Sequence, residues 1–145
     1  MSSGKQGQDE RLGRLLSRLN QQWQDATYRA IAEAGHPDIR PAHSPIFRLL
    51  GEEGARVVDL AARSGLTKQS IAYLVADLEK AGYLESTADP ADARARLIRY
   101  TDRGRAAEAE LARISRGLEE EASQRVGSDR LAAAKAVLRE ILGQA

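Results

Sequence analysis

The sequence predicts a mainly α-helical protein in which a helix–turn–helix runs into a small β-hairpin, with long helices on either side. Three observations predict it. Leucine and alanine dominate a chain that is 42% hydrophobic yet only 4% aromatic, a balance that favours helix over sheet. Apolar residues recur at steps of three and four over most of the 145 residues. Between Val57 and Arg105 two short helical patterns meet at Gly65, and an arginine-bearing segment follows whose centre, Asp89-Pro90-Ala91-Asp92, has turn chemistry.

Residues 1–8 are polar and glycine-bearing, and are expected to form a disordered tail. From about Asp9 to Ala34, the positions Leu12, Leu16, Leu19, Trp23, Ala26 and Ala30 alternate steps of four and three, lining up one apolar seam suited to another helix. Gly35, His36-Pro37 and Arg40-Pro41 interrupt it, because proline disfavours helical geometry in the residue before it. Ser44-Pro45 reads as an N-cap and a first-position proline, opening a short helix through Leu50. Val57 to Ser64 is a further short helix ended by Gly65, where a left-handed cap favours glycine.

Thr67 caps the next helix, which runs to about Ala81 before Gly82 stops it. Tyr83–Thr87 and Ala95–Thr101 are expected to pair as strands around a tip at 88–92. Thr101 caps a charged helix reaching about Arg125, with Leu111, Ile114 and Leu118 on one face. Gly127-Ser128 break it, and a last helix from Asp129 spaces Leu131, Ala134, Leu138 and Ile141 along a stripe. The terminal stripes are too apolar to stand alone. A second copy of the chain is the economical partner, with 9–35 and 101–145 as a helical dimerisation region around a lobe at 36–100.

Composition narrows the chemistry. With no cysteine there is no disulfide, thiolate metal ligand or thiol sensor, and His36 and His43 alone are little material for a metal site. No nucleophile-elbow, phosphate-loop or zinc-protease motif occurs, so neither enzyme activity nor a cofactor is expected. No apolar run reaches bilayer-spanning length and the N-terminus has no signal-peptide core, so a cytoplasmic protein without membrane contact is expected. Net charge is only +1, but residues 94–105 hold five arginines against the single acid Asp102. A nearly neutral chain can still carry one basic docking face.

That face makes double-stranded DNA the expected partner. On a wheel of about 3.6 residues per turn, the helix from Thr67 turns Ile71, Leu74, Val75 and Leu78 inward. Gln69, Tyr73, Ala76 and Lys80 point outward, with Ser70 and Asp77 to one flank. Glutamine makes paired hydrogen bonds to adenine, serine addresses several bases, and Tyr73 suits a thymine methyl or a phosphate. Lys68 suits a phosphate. Asp77 disfavours phosphate, so entry by the N-terminal half of the helix is expected. Past the hairpin tip, Arg94 suits a narrow minor groove, where negative potential is enhanced. Asp92 stands close enough to hold the Arg94 guanidinium, and Arg96 and Arg99 are placed for phosphate contacts.

Leu60-Ala61, Ser64-Gly65-Leu66-Thr67-Lys68-Gln69-Ser70, Leu78-Glu79-Lys80-Ala81-Gly82-Tyr83-Leu84, Asp89-Pro90-Ala91-Asp92-Ala93-Arg94 and Tyr100-Thr101-Asp102-Arg103-Gly104-Arg105 together resemble the MarR family of winged helix–turn–helix regulators. The resemblance implies a homodimer whose terminal helices form the interface, and a transcription factor, usually a repressor, on an inverted repeat. It puts Lys68, Gln69, Ser70 and Tyr73 at recognition-helix positions, Arg94 at the wing-tip arginine and Asp92 at its orienting acid. Two departures stand out: Ala93 replaces the second arginine of many members, and the cysteine of the thiol-sensing branch is absent.

The resemblance also implies release from DNA by a small aromatic or acidic effector bound between the dimer layer and the lobe. Trp23, Tyr28, His43, Phe47 and Arg48 lie in segments that would line such a cleft, Arg48 to pair a carboxylate and His43 to titrate near neutrality. Core packing explains Trp23 and Phe47 equally well. The competing function is a winged-helix protein–protein interaction module without sequence-specific DNA binding, which Asp77 and the low net charge favour.

Overall fold

The three-and-four spacing of leucine and alanine is realised as helix along most of the chain in the computed structural model, which describes residues 10–144. The expected tail at 1–8 and the expected helix start at Asp9 lie outside the described residues. In order come α1 (Leu12–Glu33), a 3₁₀ turn (Pro41–His43), α2 (Ser44–Leu49), α3 (Val57–Ser64) and α4 (Lys68–Lys80). The hairpin β1 (Leu84–Asp89) and β2 (Asp92–Tyr100) follows, then α5 (Asp102–Val126) and α6 (Ser128–Ile141). The chain divides into two units, Met1–Leu111 and Ala112–Ala145, with the boundary inside α5. No helix among the described residues is long and apolar enough to cross a membrane.

In the first unit the inward positions of α4, Ile71, Leu74, Val75 and Leu78, are all buried, as the wheel requires. Leu60 and Ala61 of α3, Ile46 of α2, Ile31 of α1, Tyr83 and the hairpin residues Leu84, Ile98 and Tyr100 share that core. Each such large apolar side chain stabilises the fold by roughly 1.5–3 kcal/mol relative to exposure. The α3–α4 turn forms because Gly65 takes a φ of 73°, a left-handed conformation that costs glycine little. The Thr67 hydroxyl then accepts the Ser70 backbone N–H at 3.0 Å, capping α4.

Ser44 departs from the expected N-cap. Its φ of −50° and ψ of −43° are helical, so it belongs to the helix; its N–H closes the preceding 3₁₀ turn on the Pro41 carbonyl, and His43 takes the N-cap position. The proline-bearing stretch first winds a 3₁₀ turn, and the His43 ring accepts the Arg40 backbone N–H at 2.9 Å to cap that turn. The hairpin is also tighter than expected. Its strands pair antiparallel with Leu84 opposite Tyr100 and Ala88 opposite Arg96, and the tip shrinks to Pro90-Ala91. The Asp89 carboxylate closes that tip by accepting the Ala91 N–H at 2.8 Å. Ala55 adds a short bridge to Ile98 on the far edge of β2.

Helix α1 leaves Leu12, Leu15, Leu16 and Leu19 exposed along one row. At the head of α5 the Thr101 hydroxyl accepts the Gly104 N–H at 3.1 Å, as an N-cap should. The second unit holds the rest of α5 and all of α6, with Lys135 paired to Glu119 between them. It leaves Val137, Leu138 and Ile141 exposed on α6 and Leu142 exposed just past its end.

Candidate nucleic-acid interface

Because α4 spends one face on the core, its first turns present the opposite face to solvent. Lys68, Gln69, Ser70 and Tyr73 are all exposed there, Tyr73 at 67%. Ser70 is held at the cap, where its Oγ accepts from the Thr67 hydroxyl at 2.8 Å and keeps its own proton for an outside acceptor. Gln69, Ser70 and Tyr73 border an open hollow with Ala42, Leu66 and Leu74. The surface therefore combines hydrogen-bonding groups with flat apolar area, which suits base edges.

Asp77 does not act as the outward repelling charge expected from the sequence. One of its oxygens accepts from His43 Nε2 at 2.6 Å and from Arg40 Nη2 at 2.7 Å. The His43 bond first, then Arg40, hold the Asp77 carboxyl below the usual aspartate range. Its negative charge is offset by a guanidinium, so it no longer argues for entry by the N-terminal half of α4 alone. His43 is corrected with it. The side chain is 1% exposed; Nδ1 accepts from the Arg40 backbone, and so Nε2 carries the proton given to Asp77. A ring with both nitrogens engaged is a clamp on α4, not a free group lining a cleft.

The hairpin places Asp92, Arg94 and Arg96 on exposed positions of β2, with Arg99 exposed further along. Asp92 does not hold the Arg94 guanidinium as expected. Its carboxylate accepts the Arg94 backbone N–H at 3.0 Å, fixing the chain after the tip and leaving the guanidinium without a partner among the described residues. Arg96 reaches across the hairpin to Ser86, donating to its hydroxyl at 3.1 Å and its carbonyl at 2.9 Å. Sequence reasoning missed Arg56, whose Nε donates to Asp89 at 2.7 Å and ties the tip to the segment before α3. The Ala91 N–H first, then Arg56, lower the Asp89 pKa.

Of the residues assigned to an effector cleft, Tyr28 is half-buried and feels the charge of the exposed Arg48. Burial raises the Tyr28 pKa, while the Ser44 hydroxyl and the Arg48 charge oppose that. Phe47 stacks on Tyr100, ring centroids 5.9 Å apart and planes 23° off parallel. The Tyr100 hydroxyl is buried with no hydrogen-bond partner among the described residues, and burial pushes its pKa up. Trp23 is half-buried on α1.

A helix pair turned by a left-handed glycine, an exposed polar second helix and an arginine-tipped hairpin define a winged helix–turn–helix protein. Residues 38–95 match the model of the MarR family. The sequence match is confined to that segment, and over some nine-tenths of its length the chain has the fold of MarR-family transcription regulators. It is similar to the transcriptional repressor CouR bound to a 23-mer DNA duplex, with a TM-score of 0.73 and 24% identity over 91% of this chain and 92% of that one. CouR from Rhodococcus jostii RHA1 bound to p-coumaroyl-CoA gives 0.70 and 25% over the same shares. A MarR-family regulator from Rhodococcus sp. RHA1 gives 0.68 and 25% over 89% and 90%. No curated protein sequence matches.

Proposed function

We propose that this protein is a homodimeric, sequence-specific DNA-binding repressor that acts on an inverted repeat and is released by a small effector. The observation that carries the reading is the pairing of α4's exposed Gln69, Ser70 and Tyr73 with the exposed Arg94 guanidinium on the hairpin, which has no partner among the described residues. In this reading Gln69 and Ser70 meet base edges in the major groove, Lys68 and Arg96 meet phosphates, and Arg94 enters the adjacent minor groove. Asp92 contributes by shaping the backbone that presents Arg94.

The dimer is supported by the exposed apolar row on α1 and, separately, by that on α6, where Ile141 is 63% exposed. Covering such rows with a second copy removes apolar area from water at about 25 cal/mol per Å². For the effector, the half-buried Tyr28, which feels the Arg48 charge, with Phe47 and Trp23 nearby in sequence, offers an aromatic surface and a carboxylate partner. Neighbours of the same fold include one solved on DNA and one solved with p-coumaroyl-CoA.

The test is selection of bound sequences from a random duplex library at physiological salt. The expected result is an inverted repeat with half-sites about one helical turn apart. A folded dimer that enriches no sequence, with or without aromatic acids and their thioesters, would overturn the reading.

A further inference from the structure

One buried hydroxyl, outside every surface described above, joins four parts of the first unit. Tyr83 follows α4 directly, and its N–H closes that helix by donating to the Leu78 carbonyl at 2.9 Å. Its side chain is fully buried. The hydroxyl donates to Asp38 Oδ1 at 2.6 Å and accepts from Arg103 Nη2 at 3.0 Å. His36 Nδ1 lies 2.9 Å away. A tyrosine has one proton and two lone pairs. With the proton given to Asp38, Nδ1 of His36 must be the donor, and the hydroxyl is then saturated.

These partners are not random. His36 follows α1, its N–H bonded to the Ile31 carbonyl at 3.0 Å. Asp38 sits in the connector from α1 to the 3₁₀ turn, and Arg103 lies in the first turn of α5. Arg103 also packs 4.6 Å over the Tyr83 ring and 3.6 Å from Asp38. The end of α4 is thus cross-linked to the end of α1 and the start of α5. Burial, and next the Asp38 carboxylate, raise the pKa of the hydroxyl, so it stays protonated as the network requires.

We propose that the Tyr83 hydroxyl is a positioning group that sets the angle of α4 against α1 and α5, and thereby the half-site spacing the dimer accepts. The inference rests on the reading of the protein as a dimeric binder of inverted repeats. If the two copies join through helices that include α1, the distance and phase between their α4 helices follow from that angle. Cutting the hydroxyl cross-link frees the angle without touching any residue assigned to DNA.

The experiment uses Tyr83→Phe, which keeps the ring in the core and removes only the hydroxyl. Affinity is measured for the selected inverted repeat, for the same repeat with its spacing altered by about two base pairs, and for a duplex with one half-site. The expected result is an intact dimer with unchanged half-site affinity, whose preference for the correct spacing falls by about fivefold or more. A merely structural lesion would weaken all three duplexes together. An unchanged spacing preference in a folded Tyr83→Phe protein overturns the proposal. Should that variant not fold, Asp38→Ala and Arg103→Gln reach the same network from the surface, where the two side chains are 42% and 49% exposed; unchanged preference in both is equally fatal. A wild-type protein indifferent to spacing sinks this proposal together with its parent reading, and is recognised from the wild type alone.

Discussion

Arg94 and Asp77 carry opposite charges and behave in opposite ways. The Arg94 side chain is left open while its backbone is fixed by Asp92, so the group is presented and not consumed. Replacing Arg94 with alanine should weaken operator binding by about 1–3 kcal/mol and leave the dimer intact, measured by fluorescence anisotropy beside sedimentation. Unchanged binding would remove the hairpin from the mechanism. Asp77 is consumed by His43 and Arg40. Because its folded pKa lies below the ordinary aspartate value of 3.8, its stabilising contribution is complete above that value and is lost as pH falls through the folded one. Asp77→Asn should therefore be less stable than wild type at neutral pH, with the gap closing below about pH 4. Urea unfolding across that range checks it; a gap independent of pH would mean that the carboxylate charge is not what holds α4.

Helix α5 owes its placement to a close approach at its first turn. Gly104 is buried, and a Cβ built on it would stand 2.0 Å from the Tyr83 carbonyl oxygen, a backbone atom that cannot swing aside. That carbonyl also accepts the Thr101 N–H at 3.1 Å, so the contact locks the end of β2, the α4–β1 turn and the head of α5 together. Gly104→Ala should destabilise the protein by at least about 1–3 kcal/mol, the usual cost of overpacking, read as a lowered melting temperature. The glycine at 117, later in the same helix, has open space where a Cβ would stand and is a control expected to tolerate alanine. Equal effects at the two positions would contradict this account.

For the complete protein, the exposed leucines matter more than any single polar contact. Leu16 and Leu19 lie on the same row of α1, with Leu19 55% exposed. Glutamate at both positions should leave the folded chain intact, since neither belongs to its core, yet abolish self-association in sedimentation. Operator affinity should fall steeply, because a monomer meets one half-site where a dimer meets two. A double variant that stays dimeric would move the interface off α1.

Much of the architecture was legible because its causes are local. Helix periodicity, the Gly65 turn, the Thr67 and Thr101 caps and the inward face of α4 depend on neighbours a few residues away, and such neighbours are adjacent in the chain. The outward placement of Gln69 and Tyr73 follows from the same wheel, whereas Lys68, nearer the packed edge on that wheel, and Ser70, on its flank, prove exposed as well. What could not be read were the polar ties between distant segments. His43 meets Asp77 across 34 residues, Arg56 meets Asp89 across 33, and His36 and Asp38 reach Tyr83 across 47 and 45. No spacing rule covers such pairs, since the chain between them can fold in many ways and the partner is chosen by where packing leaves each side chain. For that reason Asp77 looked like a free charge and His43 like a ligand-facing ring, while at Asp92 the outcome was decided locally, its carboxylate taking the Arg94 backbone N–H in place of the guanidinium. Local chemistry settled which elements form and which faces they turn outward; the packed core settled which charges remain free to meet a partner, because it alone brings the distant groups within hydrogen-bonding reach.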